Sequence, residues 1–396
     1  MATQDSLPVL RLKAHEERRL RQGHLWIYSN EIDVAQTPLK GVTPGSLCRF
    51  EEARGKPLGI GYVNPSTLLC ARLLTGKGDA TIDADWLARR IESALALRTR
   101  IYPTPHYRLV YGESDGLPGL VVDRYGEVLV AQLTTAGMEN LKAAVIEALQ
   151  SVIKPRGILL RNDTSAREVE GLPLYEEPIG DVPELAEVIE GECTFAAPIL
   201  RGQKTGWFFD QHDNRDRLAR YVKGARVLDV FSYVGAWGVR AMKLGAASVG
   251  CVDSSEPALE AAHENAERNG FEIEAIQGQA LEVMKALRAD GRQYEVVVVD
   301  PPALIKKRKD FEAGLEHYAT LNRAAMNLLT PDGILIACSC SHHMEEESLQ
   351  RVLLREARRN GRRLQLLERG AQGPDHPVHP AIPETRYLKA FFCRLA

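Results

Sequence analysis

No stretch of this chain is apolar for the length of a membrane span, and Met1 to Pro8 is polar where a secretory leader would begin. A membrane-spanning or exported protein is therefore not expected, and a cytoplasmic one is. The seven cysteines are odd in number, scattered and never spaced Cys-x-x-Cys. That pattern excludes a disulfide framework and a structural zinc site, so reduced thiols and no metal are expected. Cys338 and Cys340 stand two apart, too sparse to hold a metal by themselves. Charge of one sign is lacking too: 50 Lys and Arg face 53 Asp and Glu, a net −3. A generally basic nucleic-acid coat is excluded, and any RNA binding must come from local patches. No low-complexity tract appears.

What is there is a globular composition, 44% hydrophobic and 26% charged, over 396 residues, too long for one ordinary core. Two or three domains are expected. The chain is organised around Arg226-Val-Leu-Asp-Val-Phe-Ser-Tyr-Val-Gly-Ala-Trp-Gly238, which reads as a buried strand, a glycine-bearing turn and a helix. Val227, Leu228, Val230 and Phe231 give the apolar run of a parallel strand covered on both faces. Gly235 and Gly238 are expected to let backbone approach a ligand with no Cβ in the way.

A second strand, Ser248 to Asp253, ends in a carboxylate, as a doubly wound sheet needs to grip a ribose. A helix follows, with Ser254 or Ser255 as its cap, Pro257 in its first turn and Gly270 as its stop. Further strands run from Glu272 to Gln277, from Tyr294 into Asp300-Pro-Pro302, and from Gly333 into Ser339-Cys-Ser341. Each ends in polar or proline-rich residues, the end at which open α/β sheets bind ligands.

Asp229 with Gly235 and Gly238, then Asp253, Asp300-Pro-Pro302 and Ser339-Cys-Ser341, resemble in order and spacing the motifs of class I S-adenosylmethionine-dependent methyltransferases. With Lys204-Thr-Gly-Trp-Phe-Phe-Asp-Gln-His-Asp-Asn-Arg215 and the N-terminal segments, nearly the whole chain resembles the bacterial 23S rRNA cytosine-C5 methyltransferases that carry an RNA-binding PUA domain in front. The resemblance implies an α/β fold with a Rossmann-like sheet at 187–396, preceded by a small β-rich PUA-like domain at 1–75 and an α+β middle domain at 76–186. It implies S-adenosylmethionine as cofactor, 23S rRNA as partner and a last strand inserted antiparallel. A homodimer is one assembly open to such a chain; the residues do not fix the oligomeric state.

The chemistry is expected between Asp300-Pro-Pro302 and Cys340. Cytosine C5 is a poor nucleophile, and an enzyme that methylates it usually adds a thiolate to C6 first. The resemblance puts that nucleophile at Cys340; Cys338 reads as a small apolar residue of a buried strand. Asp300 suits the amino edge of a cytosine as well as the cofactor. Asp253 would take the ribose hydroxyls, the turn with Phe231 and Gly235 the methionine part, and Asp229 its amino group. Where many such enzymes have an acidic residue for the adenine amino group, this chain has Gln277-Gly-Gln-Ala280, whose Gln279 can still accept through its amide oxygen. Lys204, Asp210, Gln211, Asp213 and Arg215 read as a mixed cofactor and substrate wall.

RNA contact is expected at two basic patches. Arg18, Arg19 and Arg21 stand near Trp26 and Tyr28, mixing phosphate-binding charge with stacking surface; a solvated helix face before a core tryptophan is the other reading. Lys306, Lys307, Arg308 and Lys309 follow the Pro-Pro loop, placed to meet phosphate. Nine acidic residues and no Lys or Arg between Glu168 and Glu192 would repel it, which puts that stretch away from RNA. Gly112-Glu-Ser-Asp-Gly-Leu-Pro-Gly119 is explained by its turn chemistry. Two further functions remain open: a purine N-methyltransferase, which would need no cysteine, and a catalytically silent RNA-binding factor. An NAD-dependent dehydrogenase is disfavoured, because the turn lacks G-x-G-x-x-G.

Overall fold

Arg226–Val230 forms the expected strand and pairs in parallel with Ser248–Asp253 on one side and Tyr294–Val299 on the other. The structure, a computed structural model, describes residues 7–396; residues 1–6, the start of the expected 1–75 module, lie outside the described residues. The full sheet order is Glu274–Gln277, Ser248–Asp253, Arg226–Val230, Tyr294–Val299, Leu329–Ser339, Lys389–Leu395, Leu364–Gly370. The chain moves outward from Arg226–Val230 in one direction, then returns to lay Tyr294–Val299 on its other side. The switch point therefore falls between Asp229 and Asp300, where doubly wound sheets open a crevice. Lys389–Leu395 runs antiparallel to both neighbours, as the resemblance implies.

The strands are parallel and apolar for one reason: both faces are covered. Leu228, Val230, Val297 and Val299 pack into a layer with Tyr318, Leu321 and Met326 of the helix Phe311–Met326. Val227, Val296 and Val298 alternate onto the other face with Trp237, Ala241 and Leu259. Those last residues come from the helices Ala236–Lys243 and Glu256–Arg268. Ser255 caps the second of these, accepting from Ala258 N at 3.3 Å, with Pro257 in its first turn.

The chain divides into two compact units, and this sheet forms most of the second, made of Glu187–Ala197, Phe208–Gly373 and Arg386–Ala396. The first takes residues up to Ala186, with Pro198–Trp207 and Pro374–Thr385. It contains two five-stranded sheets. One has the order Val9–Arg11, Ser46–Glu51, Pro57–Val63, Ala71–Thr75, Trp26–Ile27, the small β-rich module that the resemblance implies. The other has the order Tyr175–Gly180, Gly157–Asn162, Val128–Leu133, Leu120–Tyr125, His106–Tyr111.

The two sheets share a core: Ile60, Tyr62 and Leu74 of the first pack with Trp86, Leu87, Ile91, Leu120 and Leu149 of the second region. Residues 1–75 and 76–186 are thus joined through buried apolar surface. Ala84–Ile101 is a helix capped by Asp83, which accepts from Trp86 N at 2.9 Å. Two short helices follow, Ala136–Asn140 and Lys142–Ile153. Thr135 caps the first, accepting from Met138 N at 3.3 Å. The Gly112 to Gly119 loop serves the fold, since Asp115 takes both guanidinium arms of the fully buried Arg98, at 2.6 and 2.8 Å.

Candidate active site

Three carboxylates, Asp253, Asp229 and Asp300, stand at the C-terminal ends of three adjacent strands. Asp229 is fully buried, and its Oδ2 accepts from Gly238 N at 3.1 Å. Its Oδ1 is equally buried and has no hydrogen-bond partner among the described residues. Burial, with the like charge of Asp300 and then Asp253, pushes its carboxyl up to about 8. A lone buried oxygen of this kind is costly unless something donates to it. An ammonium group, as in the methionine part of S-adenosylmethionine, is a donor of the right charge, and the residues fit that cofactor here.

The turn between Asp229 and the helix is strained. Phe231 and Tyr233 adopt left-handed backbone at φ 68° and 49°, which bulky side chains rarely do. Strain of this kind persists only where surrounding bonds over-determine it. Phe231 N and Ser232 N donate to Val252 O at 2.9 and 3.0 Å, and Tyr233 N donates to Asp253 Oδ2 at 3.0 Å. Asn265, buried in the helix Glu256–Arg268, donates to Val234 O at 3.1 Å. Asp253 Oδ1 accepts from Ser255 N at 3.0 Å, so this carboxylate shapes the turn and the next helix at once.

The two glycines are also crowded by the protein's own atoms. A Cβ on Gly238 would lie 2.8 Å from Cys251 Sγ and 2.9 Å from Val249 Cγ1, and one on Gly235 2.9 Å from Ala262 Cβ. What they admit is the close approach of helix to sheet and of helix to helix; Gly235 also has φ 80°. Gln279 is exposed, and the loop it lies on is tied to the sheet by Gly278 N donating to Asp253 O at 3.0 Å. It makes no capping bond to its helix, Ala280–Ala289.

Asp300 Oδ2 accepts from Gln211 Nε2 at 3.0 Å and from the Trp237 indole at 3.1 Å. Gln211 in turn accepts from Asn214 at 2.7 Å. Of the expected polar wall, Asp210, Gln211, Asp213 and Arg215 belong to this unit, whereas Lys204 belongs to the other. Lys204 there borders a cavity of about 350 Å³ with Arg108, Asp163 and Thr205. Arg215 is buried and chelated by Glu190 at 2.5 and 2.6 Å, which also gives one residue of the acidic stretch an internal partner.

Cys340 follows the strand Leu329–Ser339, half-buried, with Sγ 3.8 Å from Pro301 O. Its flanking serines point the other way. Ser339 Oγ and Ser341 Oγ both meet Tyr318 OH at 2.9 Å, and Ser341 Oγ also accepts from Ile305 N at 3.1 Å. Strand alternation thus turns Cys340 toward the Pro301 side. Cys338 is 1% exposed in the core beside Val298, Ile336 and Phe392, and burial pushes its thiol far up. Lys389 Nζ donates to Ser341 O and Tyr387 O, each at 2.7 Å. Sequence reasoning missed Trp237, Tyr318 and Lys389 as parts of this site. Only a strand register could have revealed Lys389, which pairs with Ser339.

The basic patches differ from one another. Lys306, Lys307 and Arg308 are exposed, make no ion pair among the described residues, and follow directly from the Ile305 anchor. In the first unit Arg18 is exposed beside His15, whereas Arg19 pairs with the buried Glu31 at 2.5 Å and Arg21 pairs with Glu52. The Trp26 indole donates to Glu113 Oε1 at 2.9 Å, and Trp26 is half-buried. All seven cysteines are free thiols, and no helix among the described residues is long and apolar enough to cross a membrane.

Residues 10–76 match the PUA-like domain family and residues 165–394 the S-adenosylmethionine-dependent methyltransferase family. The chain is 36% identical to the ribosomal RNA large subunit methyltransferase I of Erwinia tasmaniensis, over 96% of this chain and 97% of that one. It is 37% identical to the protein of the same name from Shewanella denitrificans, over 98% of this chain and 99% of that one. Among solved structures, a methyltransferase complexed with SAH has the same fold, with TM-score 0.84 at 18% identity, covering 98% of this chain and 100% of that one. An S-adenosylmethionine-dependent methyltransferase from Streptococcus mutans superposes with TM-score 0.81 at 18% identity and the same coverage. With an orphaned acceptor waiting at the switch point of its sheet and relatives spanning it from end to end, the chain is an S-adenosylmethionine-dependent methyltransferase and belongs to the ribosomal RNA large subunit methyltransferase I family.

Proposed function

We propose that this enzyme methylates C5 of a cytosine in 23S ribosomal RNA through a transient bond between Cys340 and C6 of the base. The observation that carries this reading is a half-buried cysteine at the ligand end of the sheet, its sulfur 3.8 Å from the carbonyl of the residue after Asp300. A purine amine would need no thiol there. The base must be flipped or already unpaired to reach it. The Cys340 thiolate adds to C6, forming the S–C6 bond and moving the C5–C6 π pair onto C5, which becomes nucleophilic. S-adenosylmethionine, when bound, supplies the methyl group as an electrophile. Loss of the C5 proton then returns an electron pair to the ring, and the C6–S bond breaks to free the thiolate.

The remaining roles belong to the same proposal. Asp300, held by Gln211 and Trp237, orients the amino edge of the cytosine and so favours that base. Asp229 takes the cofactor's ammonium, Asp253 its ribose hydroxyls, Phe231 and Gly235 its methionine part, and Gln279 its adenine. Lys306, Lys307 and Arg308 meet phosphate. Residues 1–75 supply RNA affinity, with Arg18 and Arg21 as exposed cations of a surface that Arg19 and Trp26 shape; 76–186 is a middle domain and 187–396 the catalytic one.

Mass-spectrometric nucleoside analysis of 23S rRNA from cells with and without the protein tests the reading. One 5-methylcytidine should vanish in its absence and return with the wild type but not with Cys340→Ala. A methyl group recovered on a nitrogen instead would overturn it.

A further inference from the structure

Lys389 opens the strand Lys389–Leu395 and is only 6% exposed. Across the antiparallel ladder it stands opposite Ser339, the residue before Cys340, and its Nζ holds the carbonyl of Ser341, the residue after. The ladder thus holds the Lys389 backbone beside the residue before the sulfur, and the amine itself holds the carbonyl of the residue after it. Tyr387 O takes a second donor at 2.7 Å. An ammonium has three donors, so one is left over.

A buried ammonium needs an anion; carbonyl dipoles offset only part of its desolvation. Among the described residues no carboxylate lies within ion-pair distance of Nζ. Glu346, an acid whose charge reaches it, is committed to Arg369 and Arg386. The charged or titratable groups acting on Lys389 are Cys340, Arg386 and Glu346, and Cys340 acts most strongly. Among the groups coupled to Cys340 are Lys389, the Tyr318 hydroxyl and Cys338, and of these three Lys389 alone carries positive charge. The Asp300 strand end, which the sulfur meets at Pro301 O, brings negative charge, and the His342 ring lies two residues along the chain. Burial pushes the Lys389 amine down to about 8, so at neutral pH it still carries its proton.

We infer that Lys389 is the counter-charge of Cys340, a positioning residue whose ammonium stabilises the thiolate that adds to the base. This rests on the proposed function for its purpose, but the pair exists whether or not RNA is bound. The thiol proton leaves to solvent and Lys389 keeps its three protons, so the lysine supplies charge and moves no proton. A cation beside a cysteine lowers the thiol's pKa and enlarges the thiolate fraction at neutral pH.

Alkylation by iodoacetamide, followed at Cys340 by peptide mass spectrometry across pH, reads the thiolate directly and requires neither RNA nor methyl transfer. In the wild type the midpoint should lie below the ordinary cysteine value of about 8.5. Lys389→Met should raise that midpoint by about one unit and slow alkylation at pH 7 about tenfold, while Lys389→Arg, which keeps the charge, should restore it in part. Cofactor calorimetry on each variant reports whether the sheet is intact. An unchanged midpoint in a cofactor-binding Lys389→Met protein would overturn the inference. So would a wild-type midpoint at or above the ordinary value, which needs no variant to fold. A low midpoint in a protein that fails to methylate cytosine would leave the pair standing and remove only the proposed substrate.

Discussion

The Trp237 indole donates to Asp300 Oδ2 across 3.1 Å, tying the helix after the glycine turn to the carboxylate at the end of the neighbouring strand. One face of that tryptophan is core and its edge is functional. Trp237→Phe should therefore keep the fold and loosen the carboxylate. A hydrogen bond to a charged group is worth about 1.5 to 3 kcal/mol, so methyl-transfer kcat/KM should fall roughly ten- to a hundredfold. Steady-state kinetics beside a thermal melt checks this; an unaltered kcat/KM would show that Gln211 alone holds Asp300.

Asp229 makes the stability of the cofactor-free protein pH-dependent in an unusual direction. Its folded carboxyl sits at about 8 against an ordinary 3.8, so between those values the folded state holds a proton that the unfolded state has lost. The unfolded state binds fewer protons there, and stability falls as pH rises through that window. Asp229→Asn should remove this loss, as read from urea unfolding at pH 5 and pH 8. A cationic cofactor head favours the ionised form, so affinity should climb toward pH 8 and level off above it. Calorimetry in buffers of different ionisation enthalpy should show proton release on binding in the wild type and none from Asp229→Asn.

Cys340→Ala and Cys338→Ala should separate cleanly. The first should abolish methyl transfer by at least about three orders of magnitude, the scale on which loss of a covalent nucleophile is felt, and leave cofactor affinity intact. The second removes one buried sulfur from the core and should lower stability by about 1 kcal/mol with activity kept. RNA with 5-fluorocytosine at the target should form a lasting adduct only where Cys340 is present, because fluorine at C5 blocks the final elimination.

Replacing Lys306, Lys307 and Arg308 together by alanine should weaken RNA binding and flatten its dependence on salt. Each lost phosphate contact lowers the log–log slope by about 0.7 to 0.9, so a reduction of about two is expected. Cofactor affinity should not change. A slope identical to wild type, from fluorescence anisotropy over a salt series, would assign these cations to ordinary surface.

The strand ends that frame the site were legible because a parallel strand covered on both faces writes itself as an unbroken apolar run closed by a polar residue. Asp253 and Asp300 stand at the ends of such runs, Asp229 lies one residue inside its strand's end, and the role of Cys340 comes from the family resemblance. Partners distant in sequence did not. Gln211 and Asp300 are 89 residues apart, and Trp26 meets Glu113 across 87. Composition leaves Trp26 open between stacking surface and core, since nothing local shows the acceptor that its indole meets. Lys389 was invisible for a further reason: whether a lysine at the start of a strand points to solvent or into the sheet depends on which residue faces it. The glycines also have a cause that the sequence does not show, since a Cβ on them would meet Cys251, Val249 and Ala262 on other elements.

The strand Leu364–Gly370 has a single ladder partner, Lys389–Leu395, which itself fills the space beside Leu329–Ser339. Neither outer strand can be seated in advance of the inner one, so the Cys340-bearing strand remains an open edge until a segment about fifty residues downstream docks against it. On the inference drawn above, Lys389 arrives in that same docking step. A partly folded chain would then carry Cys340 as a sluggish thiol, and the nucleophile would awaken only as the sheet closes.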